Sequence, residues 1–169
     1  LQAGSDRILK RMNRTYDQKK FLNLVDRIKY YLPDCSISTD IIVGFPGETE
    51  SEFQQTLNIM RKVKFNHAFM FKYSLRPGTK AAEYSDQIIE DVKQLRLEQV
   101  IALQKKMTLK MNKKLINKVL PVLIEKVSKK SSNQWAGRTE GNNWVVFDKK
   151  NEKIKDIVNV KIIDAIGVT

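Results

Sequence analysis

The chain has 169 residues, 41% of them hydrophobic and 30% charged, with a formal net charge of +12. That balance describes a globular chain of one ordinary or two small domains and excludes a disordered polyelectrolyte. No apolar run nears the roughly 20 residues of a membrane span, and Leu1-Gln2-Ala3-Gly4 has neither the basic start nor the apolar core of a signal peptide.

The first residue is not Met, and the opening reads as the end of a strand, so the expectation is a piece of a longer chain. Cys35 is the single cysteine. One thiol forms no internal disulfide, which makes a reducing, cytoplasmic setting the default, and it is far short of the thiolates of an iron–sulfur cluster. Its place after Pro33-Asp34 predicts a buried structural thiol. The charge predicts attraction to phosphate polyanions, although a lysine-rich composition spread over the surface gives the same total.

Up to Lys114 the pattern alternates between helix and strand. From Thr15 to Tyr31, Phe21, Val25 and Ile28, followed by Leu32, recur at spacings of four, three and four on one helical face, and Pro33 ends the run. Ser36 to Val43 is a β-rich run of the kind found in buried parallel strands. Gly44-Phe45-Pro46-Gly47 breaks the chain, and Thr49-Glu50-Ser51-Glu52 is a capping box that opens a helix with Phe53, Leu57 and Met60 on one stripe. His67 to Tyr73 predicts another strand, closed by the turn Arg76-Pro77-Gly78-Thr79. Asp86 to about Lys114 predicts a long helix with Val92, Leu95, Leu103 and Met107 as its apolar residues.

Beyond Lys114 the runs are short and β-type: Val119 to Val127, Gln134 to Thr139, Trp144 to Asp148 and Ile157 to Ile166. Strands without intervening helices predict a small antiparallel β-barrel of the oligonucleotide-binding kind. Lys149 to Lys155 reads as a solvated hairpin. The fold class is therefore α/β followed by a β-barrel, divided into residues 1–112 and 113–169. Three strands at most do not close an α/β barrel, so the first domain is expected to be incomplete.

Asp40 lies in an otherwise apolar strand near its carboxyl end, where ligands of α/β folds collect. A carboxylate there points to a ligand or, equally by spacing, to a capped neighbouring helix. Four stretches then occur in order: Gln2-Ala3-Gly4-Ser5-Asp6; Met12-Asn13-Arg14; Ser38 through Thr49, with Gly44-Phe45-Pro46-Gly47-Glu48; and Phe71-Lys72-Tyr73-Ser74 running into Arg76-Pro77-Gly78-Thr79. Together they resemble the radical S-adenosylmethionine (SAM) methylthiotransferases over essentially the whole chain, and most closely the branch that modifies adenosine 37 of tRNA.

That resemblance implies the C-terminal part of a radical SAM (β/α) partial barrel followed by a TRAM barrel that holds RNA. It implies SAM as cofactor, with two [4Fe–4S] clusters in the intact enzyme whose ligands are absent from this chain. The reaction implied is addition of a methylthio group to C2 of N6-isopentenyladenosine by radical chemistry, with threonylcarbamoyl-adenosine or a ribosomal protein as alternative substrates. By resemblance to a related radical SAM group, Gln2 and Asp40 hydrogen-bond ribose hydroxyls and Arg14 pairs with the SAM carboxylate through its planar fork. Arg14 near a helix C-terminus is also where a plain surface arginine sits. The family usually shows Ser where this chain has Ala3.

In the barrel, Lys129, Lys130 and Arg138 are the candidates for phosphate contacts and Trp135 for base stacking, with core packing an equal alternative for Trp135. Trp144, inside the apolar run Trp144-Val145-Val146-Phe147, is read as packing. The implied partner is the tRNA anticodon stem-loop, with no membrane, no DNA and a monomeric chain. An RNA-binding module without catalysis is the second reading. It fits the barrel and the charge but leaves the SAM-type stretches unexplained.

Overall fold

Ser5 opens the first helix, α1 (Asp6–Arg11), by accepting a hydrogen bond from the Ile8 N–H at 3.4 Å. A computed structural model describes residues 1–167. Val168 and Thr169, the last two residues of the expected barrel domain, lie outside the described residues. The chain divides into two units, Leu1–Thr108 and Leu109–Ile166.

In the first unit, α1 stops at Met12-Asn13-Arg14. Asn13 adopts the left-handed conformation (φ +57°), its N–H bonding the Lys10 carbonyl at 3.0 Å while the Arg14 N–H reaches the Leu9 carbonyl at 2.9 Å. This pair of bonds is the Schellman stop, and Asn tolerates the left-handed position better than most residues. Helix α2 (Gln18–Tyr31) starts three residues after the Thr15 expected, because Asp17 is its cap, accepting from the Lys20 N–H at 2.7 Å. Leu32 and Pro33 end it as expected.

Strand β1 (Ser38–Val43) pairs in parallel with β2 (His67–Lys72), Asp40 beside Phe69 and Ile42 beside Phe71. The strand expected to be buried on both sides is covered on one only. Thr39, Ile41 and Val43 are buried, whereas Ser38 and Asp40 are exposed. The Gln2 carbonyl accepts from the Ile42 N–H at 2.9 Å, so the opening segment runs beside β1 with one backbone–backbone bond and no strand of its own.

The capping box forms as read. Thr49 caps α3 (Glu50–Val63), and the Glu52 carboxylate reaches back to the Thr49 N–H at 2.9 Å. Phe53, Leu57 and Met60 are buried in the core with Ile8, Leu9, Ile41, Val43, Phe65 and Val100. Helix α4 (Glu90–Lys113) begins four residues after Asp86, and its fully covered positions, Arg96, Val100, Gln104 and Thr108, recur every fourth residue. Leu95, one of the apolar residues read on this helix, is 56% exposed.

The second unit is one antiparallel sheet in the order β5-β4-β3-β6, half of the small barrel expected. The strands β3 (Val119–Val127), β4 (Gln134–Thr139) and β5 (Trp144–Asp148) have the bounds read from the sequence; β6 (Ile157–Lys161) stops short of Ile166. After Lys161 the chain leaves the ladder with a bond from the Ile162 N–H to the Lys118 carbonyl. A register shift between Ile124 and Lys126 bends β3, as a bulge does. Residues 149–155 are not a hairpin, since β5 and β6 lie at opposite edges of the sheet. This connection crosses it, and the Lys155 N–H bonds the Ile124 carbonyl at 2.8 Å.

Two readings of buried side chains are corrected. Cys35 is exposed, because it falls in the irregular stretch between α2 and β1, where its thiol donates only to the Ser36 carbonyl at 3.6 Å. Trp144 is 46% exposed, because the alternation of β5 turns it, with Val146 and Asp148, away from the covered face.

Candidate functional site

Three local structures position the first unit's candidates. The Schellman stop fixes where the chain leaves α1 and so where Arg14 emerges. Pairing with β2 fixes Asp40 on the open face of the sheet. Gln2 is held by the Ile42 bond and by the Tyr16 hydroxyl, which donates to its Oε1 and leaves the amide NH2 free to donate. The Arg14 guanidinium and the Asp40 carboxylate are exposed and have no hydrogen bond or ion pair among the described residues. Gln2 bonds Ile42, two residues from Asp40, and Tyr16, two residues from Arg14, so the fold brings together the segments that carry the three candidates.

An exposed guanidinium, an exposed carboxylate and a free amide donor, none of them spent on the fold, suit a ligand with a carboxylate and hydroxyl groups. An amino acid joined to a ribose has that pattern, so the residues present fit SAM. Fit to an iron–sulfur cluster is another matter. The chain holds one cysteine, and among the described residues no group of three or more His, Cys, Asp or Glu could hold a metal ion.

The loop after β1 is anchored from several sides. Gly44 and Gly47 take positive φ (+69° and +76°), and an added Cβ would meet the Lys93 side chain at 2.3 Å or Asp86 Oδ2 at 2.2 Å. Glu48, 2% exposed, accepts from the Gly44 N–H at 2.7 Å and from Arg96 Nη1 at 3.0 Å. Burial pushes this carboxyl up in pKa, although the Gly44 amide and Arg96 oppose the shift. Asp86 bonds Arg11 at 2.7 Å through its side chain and the Gly47 N–H at 2.8 Å through its carbonyl. Glu52 gathers Ser5 at 2.9 Å and Arg7 at 2.6 Å, and Arg7 is the main reason its pKa falls to about 2. Gly4 fits only because it has no side chain, since a Cβ would lie 2.3 Å from the Thr56 nitrogen.

Sequence reasoning missed Phe69 and Phe71, 61% and 54% exposed, which flank Asp40 on the open face of the sheet. The alternation of β2 carries that signal once its register with β1 is known. It also missed the Glu48–Arg96 pair, for which nothing in the spacing gave a sign. The turn at Arg76 closes on itself, Thr79 donating to the Arg76 carbonyl through its N–H at 3.2 Å and its hydroxyl at 2.8 Å. A shallow groove lined by Gln18, Leu22, Gln55, Asn58, Ile59 and Lys62 includes none of the three candidates.

In the second unit the four candidates do not form one cluster. Lys129 and Lys130 are exposed in the β3–β4 connection. Trp135, opposite Phe147 and Val127, is half-buried on the face that carries Val122 and Ile124, and its Nε1 is buried without a hydrogen-bond partner. Lys149 Nζ lies 4.2 Å from its ring centre. Arg138 points to the other face, opposite Trp144, its Cζ 4.4 Å from that ring's centre. Lys126 Nζ approaches the same ring at 4.4 Å. The exposed tryptophan is thus Trp144, the one read from the sequence as packing.

Two family models match the chain: the radical SAM superfamily over residues 1–60 and the TRAM domain over residues 113–166. The chain is similar throughout its length to proteins named tRNA-2-methylthio-N(6)-dimethylallyladenosine synthase. It is 46% identical to that of Christiangramia forsetii over 100% of this chain and 35% of the relative. For the protein of Methylacidiphilum infernorum the identity is 42%, over 100% and 36%. For that of Bacteroides thetaiotaomicron it is 46%, over 100% and 37%. The chain therefore spans little more than a third of the length of the curated relatives it matches.

Proposed function

We propose that the chain, which matches the radical SAM model over residues 1–60 and the TRAM model over residues 113–166, is the SAM-contacting and RNA-holding portion of a tRNA methylthiotransferase. The proposed reaction adds a methylthio group to C2 of N6-isopentenyladenosine 37 in the anticodon stem-loop, in line with the name its relatives carry. SAM, when bound, would supply the radical chemistry together with a reduced [4Fe–4S] cluster. Two such clusters belong to the intact enzyme in this reading, on thiolates from outside this chain. The work is cytoplasmic and done by a monomer, and among the described residues no helix is long and apolar enough to cross a membrane.

The chain's own residues bind and orient. Arg14 pairs with the SAM carboxylate by two parallel N–H···O bonds, Asp40 accepts from the ribose hydroxyls, and the Gln2 amide donates to a ribose oxygen. Phe69 and Phe71 on the same open face keep water from the reacting groups. In the TRAM sheet, Lys129, Lys130 and Arg138 neutralise phosphates. The target base leaves its stack to react, at a cost of a few kcal/mol that these contacts offset.

The observation that carries this reading is that the Arg14 and Asp40 side chains stand exposed and without a hydrogen bond or ion pair among the described residues, on segments that Gln2 ties together through Tyr16 and Ile42. The test uses the intact enzyme with Asp40→Asn and Arg14→Ala. Each variant is expected to lose about 1.5–3 kcal/mol of SAM binding energy, as for other charge-assisted bonds. Their melting temperatures should stay unchanged, since neither side chain has a partner in the fold. SAM affinity left intact in both variants would remove the assignment.

A further inference from the structure

The outer face of the β3–β6 sheet carries a feature that phosphate neutralisation does not explain. Trp144 stands 46% exposed on edge strand β5, with Lys126 Nζ and Arg138 Cζ each 4.4 Å from its ring centre. A tryptophan left in water forgoes a large apolar stabilisation that the covered face of the same sheet could have provided. Two cations drawn to one indole by its ring electrons make the site basic as well as flat. The two are held differently. Arg138 is fixed by Asn142 Oδ1 at 2.6 Å and lies 3.3 Å from Glu125, whereas Lys126 has no partner besides the ring among the described residues.

From this arrangement we propose that Trp144 is a stacking platform for one unpaired base of single-stranded RNA. The base lies on the indole, the Lys126 ammonium gives way to it and moves to the phosphate of the same nucleotide, and Arg138 stays to hold the ring. Stacking on an aromatic side chain requires only a π-face, so the platform accepts any base. A paired base offers no free face, and the site therefore selects loops and unpaired ends over duplex. Trp135 makes the contrast within the same sheet. It is half-buried on the covered face, and its position fits packing.

The inference rests on the RNA-holding role proposed above, and the experiment separates the failure of one from the failure of the other. Binding of a short single-stranded RNA and of a blunt RNA duplex is measured for the chain and for its Trp144→Ala, Trp144→Phe, Trp135→Phe and Lys126→Gln variants at several salt concentrations. Trp144→Ala is expected to weaken single-strand binding about tenfold or more, the equivalent of one stacked base, with the salt dependence unchanged. Trp144→Phe should recover part of the loss, and duplex binding should barely move. Lys126→Gln should instead flatten the salt dependence by roughly 0.7 in the slope, as for one phosphate no longer neutralised. In Trp135→Phe, whose remaining tryptophan in this chain is Trp144, single-strand binding should quench the emission.

Single-strand affinity unchanged in Trp144→Ala, while the unmodified chain still binds RNA, would overturn the platform and leave the RNA-holding role intact. Equal losses on single strand and duplex would also overturn it, because they point to a general surface effect. An unmodified chain that binds neither RNA would overturn both proposals. Melting temperatures are recorded throughout, and the half-exposed position of Trp144 predicts only a small change in them, of the order of its cation contacts.

Discussion

In the first unit Arg7 and Arg96 each lie against a buried carboxylate, Glu52 and Glu48 respectively, whereas in the second unit Lys126 and Lys149 lie over tryptophan rings and Arg138 lies over Trp144 with Glu125 3.3 Å away. The difference teaches what positive charge does in each place. A guanidinium bonded to a buried carboxylate is committed to the fold, with charge-assisted bonds of about 1.5–3 kcal/mol each. A cation held only by an exposed ring, as Lys126 is over Trp144, is held by about 0.5–1 kcal/mol and remains available to a ligand. Composition gives the same division, since residues 110–169 hold thirteen basic side chains against six acidic ones. In the first unit Arg14 and Asp40 carry the candidate site. Arg14 has no carboxylate, and Asp40 has no cation bonded to it.

If charge in the first unit is structural, the largest effect should come from its most buried pair. Arg96→Ala leaves Glu48 covered and uncompensated, and the expected loss is about 3–5 kcal/mol of unfolding free energy in chemical denaturation. A loss below about 1 kcal/mol would break the comparison. Glu52 sharpens it through pH. Its carboxyl titrates at about 2 instead of 4.5 in the folded state. The stabilisation is therefore fully present above pH 4.5 and is lost as pH falls toward 2. It amounts to on the order of 2–3 kcal/mol. Glu52→Gln should remove it and flatten the stability profile across that window, as followed by thermal melts.

The second unit should show its effects in binding. Replacing Lys129, Lys130 and Arg138 by Gln is expected to weaken tRNA binding and lower its salt slope by roughly 0.7–0.9 for each phosphate left without its cation. The matched variant with Lys149, Lys150 and Lys153 replaced carries the same change in charge from the sheet-crossing connection. Equal losses in both would reduce the basic surface to a general charge effect. The smallest effect belongs to Cys35. Exposed and without a packing role, it should tolerate Cys35→Ser with less than about 0.5 kcal/mol of change in a thermal melt.

What could be read from the sequence depended on how local its cause was. The Thr49–Glu52 capping box and three strands of the second sheet were legible because caps and alternation act over a few residues. Met12-Asn13-Arg14 could be read as a family stretch, yet its cause, the left-handed turn at Asn13, shows only in the backbone. Asp40 could be located on its strand, but whether it is covered depends on which side of the β1–β2 sheet the helices occupy. Trp144 reads as packing for a similar reason. Trp144-Val145-Val146-Phe147 is apolar on both faces, so alternation alone does not say which side meets the core. Helix α4 misled by composition. Gln104 is buried because its amide donates to the Phe65 carbonyl at 2.9 Å, and that carbonyl is distant in sequence.

Strand β2 pairs along one edge only among the described residues, and its outer edge leaves a row of backbone donors and acceptors open. With Phe69 and Phe71 also uncovered, the stretch His67 to Lys72 is a template onto which a second chain could add a strand. What opposes this is colloidal: molecules that each carry +12 repel at low ionic strength. Salt shortens the range of that repulsion to about 8 Å at physiological ionic strength. The purified chain should therefore stay dispersed in dilute buffer and self-associate as salt and protein concentration rise. The ionic strength that weakens its hold on RNA would then also bring its copies together.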